Sequence, residues 1–357
     1  MPVRSFGLTA LSPMLFALAA TAQAADYHAG CSACGSGSDY AVAYDYGTGP
    51  VESNYFISDA DFSKADPNAN FVLRGSVGIA SIEGREHVFA SPTSNNDTNT
   101  SLLIWNSTAP IASIDVKLRA PGDWTVRGHV DAAIGGDSGM ADYDWTGTYF
   151  AGYAFDNWTH RSLSPDTNLD WYLNGEVAVG RDLPISDAFT VNFNGGLKYT
   201  DVQWTASGGN FIYSWTGYRA NTGTFTSGPV GAYRMQLPTA FVGVDADVAD
   251  GPWTLAATMR AGMTFMAGDI DHHYLTDTLY YDSLNYAGVY SVNAKLGYNF
   301  SDHFGAFLEG SYEKMISGHG DTDQYTMSTH TLNSSYGGLA GGELQVATLK
   351  VGLKGNF

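Results

Sequence analysis

From Asn70 onward, apolar and polar positions alternate with period two over segments of about ten to twenty residues, the signature of strands whose two faces meet different surroundings. The last segment shows it most clearly: Leu349, Val351, Leu353 and, past Gly355, the terminal Phe357 fall on one side. Two kinds of connection separate the segments. The short ones, Ala120-Pro121-Gly122-Asp123, Asp182 to Asp187, Ala249-Asp250-Gly251-Pro252 and Ser301-Asp302-His303, carry the proline, glycine or aspartate that a tight reversal requires. The long ones, near 84–100, 143–168, 207–232, 269–287 and 317–342, are rich in Ser, Thr, Asn, Gly and Tyr. Regular exchange of short turns with long loops predicts an all-β fold: a transmembrane antiparallel β-barrel of about ten strands, extending above the membrane, with turns at one end and loops at the other. The sequence divides into 1–24, 25–69 and 70–357, the last being the barrel.

The start of the chain follows different rules. Arg4, an apolar run from Leu8 to Ala20 and the small-residue site Ala22-Gln23-Ala24 read as a signal peptide, which implies export to a bacterial envelope. Residues 25–69 are small, polar and acidic, and read as an extension or plug. Cys31 and Cys34 lie within it; they are too few to complete a zinc site and lack the strand-helix-strand context of a redox motif.

Composition agrees with a barrel. Aromatic residues make up 13% of the 357 positions and charged residues only 15%, with 42 glycines and 22 tyrosines, while no apolar run of membrane-spanning length follows the leader. A mean hydropathy of -0.14 is compatible with membrane residence, because only every other strand residue meets lipid. The net charge of -19 repels nucleic acid and favours cationic partners, positively charged peptides among them.

The candidate chemistry lies where strands run into long loops. In Asp269-Ile270-Asp271-His272-His273-Tyr274 the alternation puts Asp269, Asp271 and His273 on one face and turns His272 away. A carboxylate beside an imidazole activates water near neutral pH. Asp142 and Asp144 repeat the two-residue spacing far upstream, and Glu86 brings a further acid to the same end. Acidic loop tops that merely keep the rim soluble are the alternative reading of these positions. No metal constellation is present, since His272 and His273 face opposite sides and His28, His129 and His330 stand alone.

These stretches resemble the omptin family of outer-membrane endopeptidases. The resemblance runs from Asn70 to Phe357 through Met140-Ala141-Asp142-Tyr143-Asp144-Trp145, Trp158-Thr159, Ser164-Pro165-Asp166-Thr167, Gly208 to Ser214, Gly217-Tyr218-Arg219, Gly223-Thr224-Phe225 and Asp269 to Tyr274. It implies an aspartic-type hydrolase in which Asp271 and His273 polarise a water that Asp142, beside Asp144, shares across a groove at the extracellular rim. It further implies that Glu86 and Asp269 receive a basic side chain, so that peptides or exposed protein loops are cut after Arg or Lys. Two departures stand out. His160 occupies a position where the family carries an aspartate facing the far side of the cut, so His160 replaces an acid in substrate binding. On the outer wall, Asp201 and Gln236 stand where arginines that bind lipopolysaccharide are expected, which leaves lipopolysaccharide without its usual ligands. No cofactor is implied; outer-membrane lipid is a partner, and lipopolysaccharide is a candidate activator whose family binding residues are largely not matched. The rival readings are a barrel of the same fold that binds peptides or adhesin partners without catalysis, and a small channel.

Overall fold

The computed structural model describes residues 70–93, 98–284, 286–316 and 318–357. The expected leader, the extension and both cysteines lie outside them. Within them the chain forms one antiparallel sheet of sixteen strands. In order these are β1 Phe71–Phe89, β2 Asn99–Ala120, β3 Trp124–Ala133, β4 Asp137–Asp144, β5 His160–Ser186, β6 Phe189–Ser207, β7 Asn210–Tyr213 and β8 Asn221–Thr224. Then come β9 Pro229–Asp250, β10 Trp253–Thr264, β11 Gly268–His273, β12 Thr278–Ser283, β13 Gly288–Asn299, β14 Phe304–Ile316, β15 Gly320–Thr326 and β16 Thr331–Asn356.

The pairings close on themselves. One ring runs β1, β2, β3, β5, β6, β9, β10, β13, β14, β16 and back to β1. A second, toward the loop end, runs β1, β2, β4, β5, β6, β9, β11, β12, β15, β16. Four of the ten barrel strands are therefore each made of two segments stacked end to end, and closure leaves no edge to be capped. The β7–β8 hairpin rises beyond the ring from β5.

The breaks in those four strands decide which side chains face inward. On β3 the buried positions are odd-numbered, Thr125, Asp131 and Ala133; on β4 they are even, Ser138 and Met140. The intervening Gly135 and Gly136 adopt φ of 65° and 99°, and a Cβ on Gly136 would sit 2.3 Å from the Thr108 carbonyl oxygen. This bulge resets the alternation, as bulges do. The same reset between β10 and β11, where Met266 has φ 53°, turns Asp269 and Asp271 inward although β10 exposes odd-numbered Leu255, Met259 and Met263.

Three of the four short turns fall where the sequence places them, while the one expected at Asp182 to Asp187 lies at 187–188, because β5 runs on to Ser186. Two of the five long connections are not mainly loop. Residues 269–287 and 317–342 are mostly strand: β11 and β12 are joined only by 274–277, and β15 and β16 only by 327–330. Strands with water on one side need no apolar alternation, so their Thr, Tyr and Ser content resembles loop. A strand needs only about 10 residues to cross a membrane; β5, with 27, reaches well beyond.

Side chains fill the interior. Beneath the loop end, Trp105, Trp204 and Tyr233 stack with ring centroids 6.0 to 6.4 Å apart, among Ile82, Leu103, Met235 and Leu344. This apolar layer floors the space above it. Gly84 is required there, since a Cβ would lie 2.9 Å from the Trp204 ring. Below it the lumen holds paired charges, including Lys350 with Asp131 and Glu309, and Arg127 with Asp245. The filled lumen argues against a channel.

Candidate active site

The rim above the aromatic floor collects side chains from β1, β2, β4, β5, β7, β9, β11 and β12. β11 presents Asp269, Asp271 and His273 inward, held in register by β9 on one side and β12 on the other, with Asp271 opposite Tyr233 and Tyr280. Asp271 is 1% exposed and its Oδ2 is hydrogen-bonded to Nε2 of His273, so Nδ1 is the ring nitrogen not engaged by that carboxylate. His272 points away, stacked on Tyr274 at 5.7 Å, as alternation requires. Tyr280 meets the His273 ring edge-on at 5.3 Å.

β4 brings up the second acidic pair. Asp142 receives hydrogen bonds from Ser162 Oγ on β5 at 3.3 Å and, more weakly, from Ser101 Oγ on β2 at 3.5 Å. The two acid-bearing stretches, far apart in sequence, lie within electrostatic reach of each other. Burial raises the Asp142 carboxyl to about 6, against the opposing pull of His273 and with added repulsion from Asp271. Asp144 is also raised well above the usual range, by burial and then by Asp142. Burial lowers His273, but Asp271 first, then Asp142 and Asp144, outweigh it and lift the imidazole to about 9. The surrounding acids thus favour the protonated form of His273, while burial and mutual repulsion oppose joint ionisation of Asp142 and Asp144.

Beside this lies a pocket of carboxylates without cations. Glu86 on β1 and Asp269 are each 3% exposed. Tyr233 donates to Asp269 Oδ2 at 3.1 Å, while Glu86 Oε2 and Asp269 Oδ1 have no partner among the described residues. Burial, then repulsion from neighbouring acids, pushes both carboxyls well above their ordinary range.

His160 opens β5 directly opposite Asp144. Its Nδ1 lies 3.0 Å from Thr159 Oγ1, its ring tilts against Tyr213 at 5.1 Å, and partial burial lowers its pKa. The wall next to it is aromatic, with Phe211, Tyr213 and Trp215 stacked along the β7 hairpin.

Comparison with known proteins gives this constellation a context. Residues 67–357 match the profile of the omptin family. The chain belongs to the omptin family. Protease 7 of Escherichia coli O157:H7 is 24% identical over 321 residues, covering 87% of this chain and 97% of that protein. The plasminogen activator of Yersinia pestis is 24% identical over 312 residues, covering 84% and 95%. The crystal structure of the outer membrane protease OmpT from Escherichia coli superposes with a TM-score of 0.73 at 21% identity, covering 83% of this chain and 98% of that one. The fold is thus an omptin outer-membrane β-barrel, and the names of its relatives support a protease function.

All seven residues singled out in the sequence lie at this omptin's rim. Asp142, Asp144, Asp271 and His273 form one electrostatically coupled group, Glu86 and Asp269 the adjoining pocket, and His160 the aromatic side. The sequence reading missed Asp282, Tyr233, Ser101 and Ser162. Asp282 falls within the polar connection expected at 269–287, whereas in the β11–β12 hairpin antiparallel register sets it opposite Asp269. Among the described residues no cluster has the geometry to hold a metal ion.

Proposed function

We propose that this omptin is an outward-facing endopeptidase that cuts peptides or exposed protein loops after Arg or Lys, using water activated between the Asp271–His273 pair and Asp142. The observation that carries the reading is the mutual influence of Asp142 and His273 across the groove, next to buried acids that lack a cation. A guanidinium or ammonium entering beside Glu86 and Asp269 supplies that charge. It also withdraws electrostatic support from the imidazolium, so substrate entry pushes His273 toward its neutral, basic form.

In the chemical step, Nδ1 of His273 takes a proton from the water as its oxygen attacks the scissile carbonyl carbon. Asp271 fixes the ring and stabilises the imidazolium that forms. The Asp142–Asp144 pair, whose joint ionisation is opposed by burial and mutual repulsion, supplies the proton as the amine departs and takes one back from the imidazolium. No covalent acyl-enzyme is formed.

The family's outer-wall lipid ligands are not reproduced here. Arg234 forks onto Asp201 at 2.9 and 2.6 Å, Trp171 Nε1 donates to the same carboxylate at 2.9 Å, and Gln236 donates to Tyr199. An arginine already satisfied by a carboxylate is a poor phosphate ligand. Turnover in defined detergent therefore proceeds without added lipopolysaccharide, and an absolute requirement for it would refute this point.

The main test uses refolded full-length chain and fluorogenic peptides carrying one internal arginine or, in its place, the neutral isostere citrulline. The arginine peptide is cleaved after that residue, and the citrulline peptide about a hundredfold more slowly. Asp142→Ala abolishes turnover of both. Equal turnover by wild type and Asp142→Ala removes the protease assignment and leaves a peptide-binding barrel.

A further inference from the structure

The carboxylate pocket has a third wall. Asp282 on β12 stands directly opposite Asp269 in antiparallel register, and both side chains point into the barrel. Asp282 is 9% exposed, and its Oδ1 has no hydrogen-bond partner among the described residues, matching the free Oδ1 of Asp269 and the free Oε2 of Glu86. Three buried carboxylates thus each keep one unsatisfied oxygen, and each feels the charge of the other two. Such oxygens are costly unless a donor reaches them.

Among the described residues the surroundings supply hydroxyls and more acid, and no lysine or arginine pairs with these carboxylates. From β11, Asp269 and Asp271 face Asp282; from β15, Thr322 hydrogen-bonds it and Asp323 adds repulsion. Glu86 faces it from β1, and Tyr233 from β9 senses it through the shared pocket. None of Glu86, Asp269 and Asp282 forms an ion pair with a lysine or arginine among the described residues, whereas nearly every lumen acid does. On β16, Gly342 keeps the space open: a Cβ there would lie 3.4 Å from Asp269 Oδ2 and 2.8 Å from Leu284.

Three carboxylates are one or two too many for a single monocation. Asp269 and Asp282 lie within hydrogen-bonding reach of each other, which is stable only if one of them carries a proton. We infer that Asp282 is a specificity-determining wall of the pocket that receives the basic side chain, sharing a proton with Asp269 when the pocket is empty and releasing it to solvent when the cation enters. This rests on the basic-residue reading proposed above. It adds that recognition of the cation is coupled to pH through a residue outside the catalytic group. Burial and its acidic neighbours raise Asp282 to about 7, so the coupling falls in the physiological range. The sign follows. A proton must leave for the cation to bind, so preference for the cation strengthens as pH rises and levels off above about 7.

The experiment uses two uncleavable peptides, identical except for arginine or citrulline and each followed by an N-methylated bond, as competitive inhibitors of the refolded full-length protein. The ratio of their inhibition constants isolates the cation contact from the titration of the catalytic group. In wild type this preference for arginine grows about tenfold between pH 6 and 8, the span expected for one proton released near pH 7. In Asp282→Asn it changes by less than about twofold over that range and is about tenfold smaller at pH 8. A wild-type ratio that is independent of pH, or an Asp282→Asn protein with the wild-type profile, overturns the inference. Should Asp282→Asn fail to refold, Asp282→Ser is the second variant, and the wild-type profile decides by itself. If wild type does not distinguish arginine from citrulline at any pH, the basic-residue reading fails; if it distinguishes them and Asp282→Asn matches it, only the role of Asp282 fails.

Discussion

The lower lumen and the upper rim of this barrel are both crowded with buried carboxylates, yet they are built on opposite principles. In the lumen, Lys350 Nζ lies 3.1 Å from Asp131 and 3.2 Å from Glu309, Lys295 takes the other oxygen of Glu309 at 3.1 Å, and Arg127 reaches Asp245 at 2.9 Å. At the rim, Glu86, Asp269 and Asp282 each keep a buried oxygen with no partner among the described residues and form no ion pair with a lysine or arginine there. Burying a charge without its counter-charge costs several kcal/mol. The lumen avoids that cost with its own cations and so forms a closed, rigid plug. The rim leaves it standing, which means the complement has to come from outside. Paired acids hold the barrel together; unpaired acids wait for a guest.

The largest effect separating the two regions is on chemistry. Asp271→Asn keeps the size of the side chain but loses the charge that orients and stabilises His273, so kcat on the arginine peptide falls by about 10³-fold or more. Single-turnover cleavage checks this, with far-UV circular dichroism showing the barrel retained. The same change has a pH signature. His273 is raised to about 9 in the folded protein, so its pairing with Asp271 stabilises the fold fully below the ordinary histidine range and fades as pH rises through about 9. Wild type loses that increment in alkaline unfolding experiments, and Asp271→Asn has little of it to lose.

The next effect is on stability, and its sign differs between the regions. Asp131→Asn strips Lys350 of one of its two carboxylates inside the lumen and lowers unfolding free energy in detergent by about 3 kcal/mol, with kcat of the folded fraction unchanged. Glu86→Gln relieves a buried charge that has no counter-ion and is neutral or stabilising by about 1 kcal/mol, while weakening preference for the arginine peptide over its citrulline twin. Denaturant titrations of both variants decide the matter. If Glu86→Gln destabilises as much as Asp131→Asn, the rim acids are structural and the division drawn here is wrong.

The lower half of the barrel was more legible than the upper half, for a physical reason. Below, lipid on one side and a packed lumen on the other force strict alternation, and the four tight turns and the run ending in Phe357 report it directly. Above, water replaces lipid, so polar strands such as Thr278–Ser283 and Gly320–Thr326 look like loops, and Asp282 was lost with them. The bulges at Gly135–Gly136 and at Met266 reset the alternation between the two halves, so inward positions could not be carried from β3 to β4 or from β10 to β11 by counting. The site residues were found nonetheless, because Asp142 with Asp144, and Asp269 with Asp271 and His273, keep period-two spacing within a single segment. That they share one end of the barrel follows from their positions relative to the turns and long loops, whereas the sharing of a water between them is implied only by likeness to a family.

The smallest effect concerns how the groove's two walls are held. The wall bearing Asp271 and His273 is continuous sheet, bonded on both sides by β9 and β12. The facing wall continues into loops that are tied by β5–β7 pairing, by Ser214 Oγ donating to the Thr159 carbonyl oxygen at 2.6 Å, and by the side chain of Arg219. The Arg219 guanidinium lies 3.4 Å from the centre of the Trp158 ring and donates to the Trp158 carbonyl oxygen from Nε at 3.0 Å and Nη2 at 2.8 Å, joining the loop before β5 to the β7–β8 hairpin. Arg161 approaches the same ring at 4.8 Å. Arg219→Ala removes the cation-π contact and the donors together, at a cost of about 1 to 2 kcal/mol that falls on the loops and not on the barrel. Limited proteolysis then cuts faster within 208–228, the unfolding midpoint of the barrel stays put, and kcat drops no more than about threefold, because Asp142 and Asp144 keep their places in β4. A collapse of activity comparable to that of Asp271→Asn would show instead that the loop wall, with His160 and Tyr213 on it, sets the position of the scissile bond.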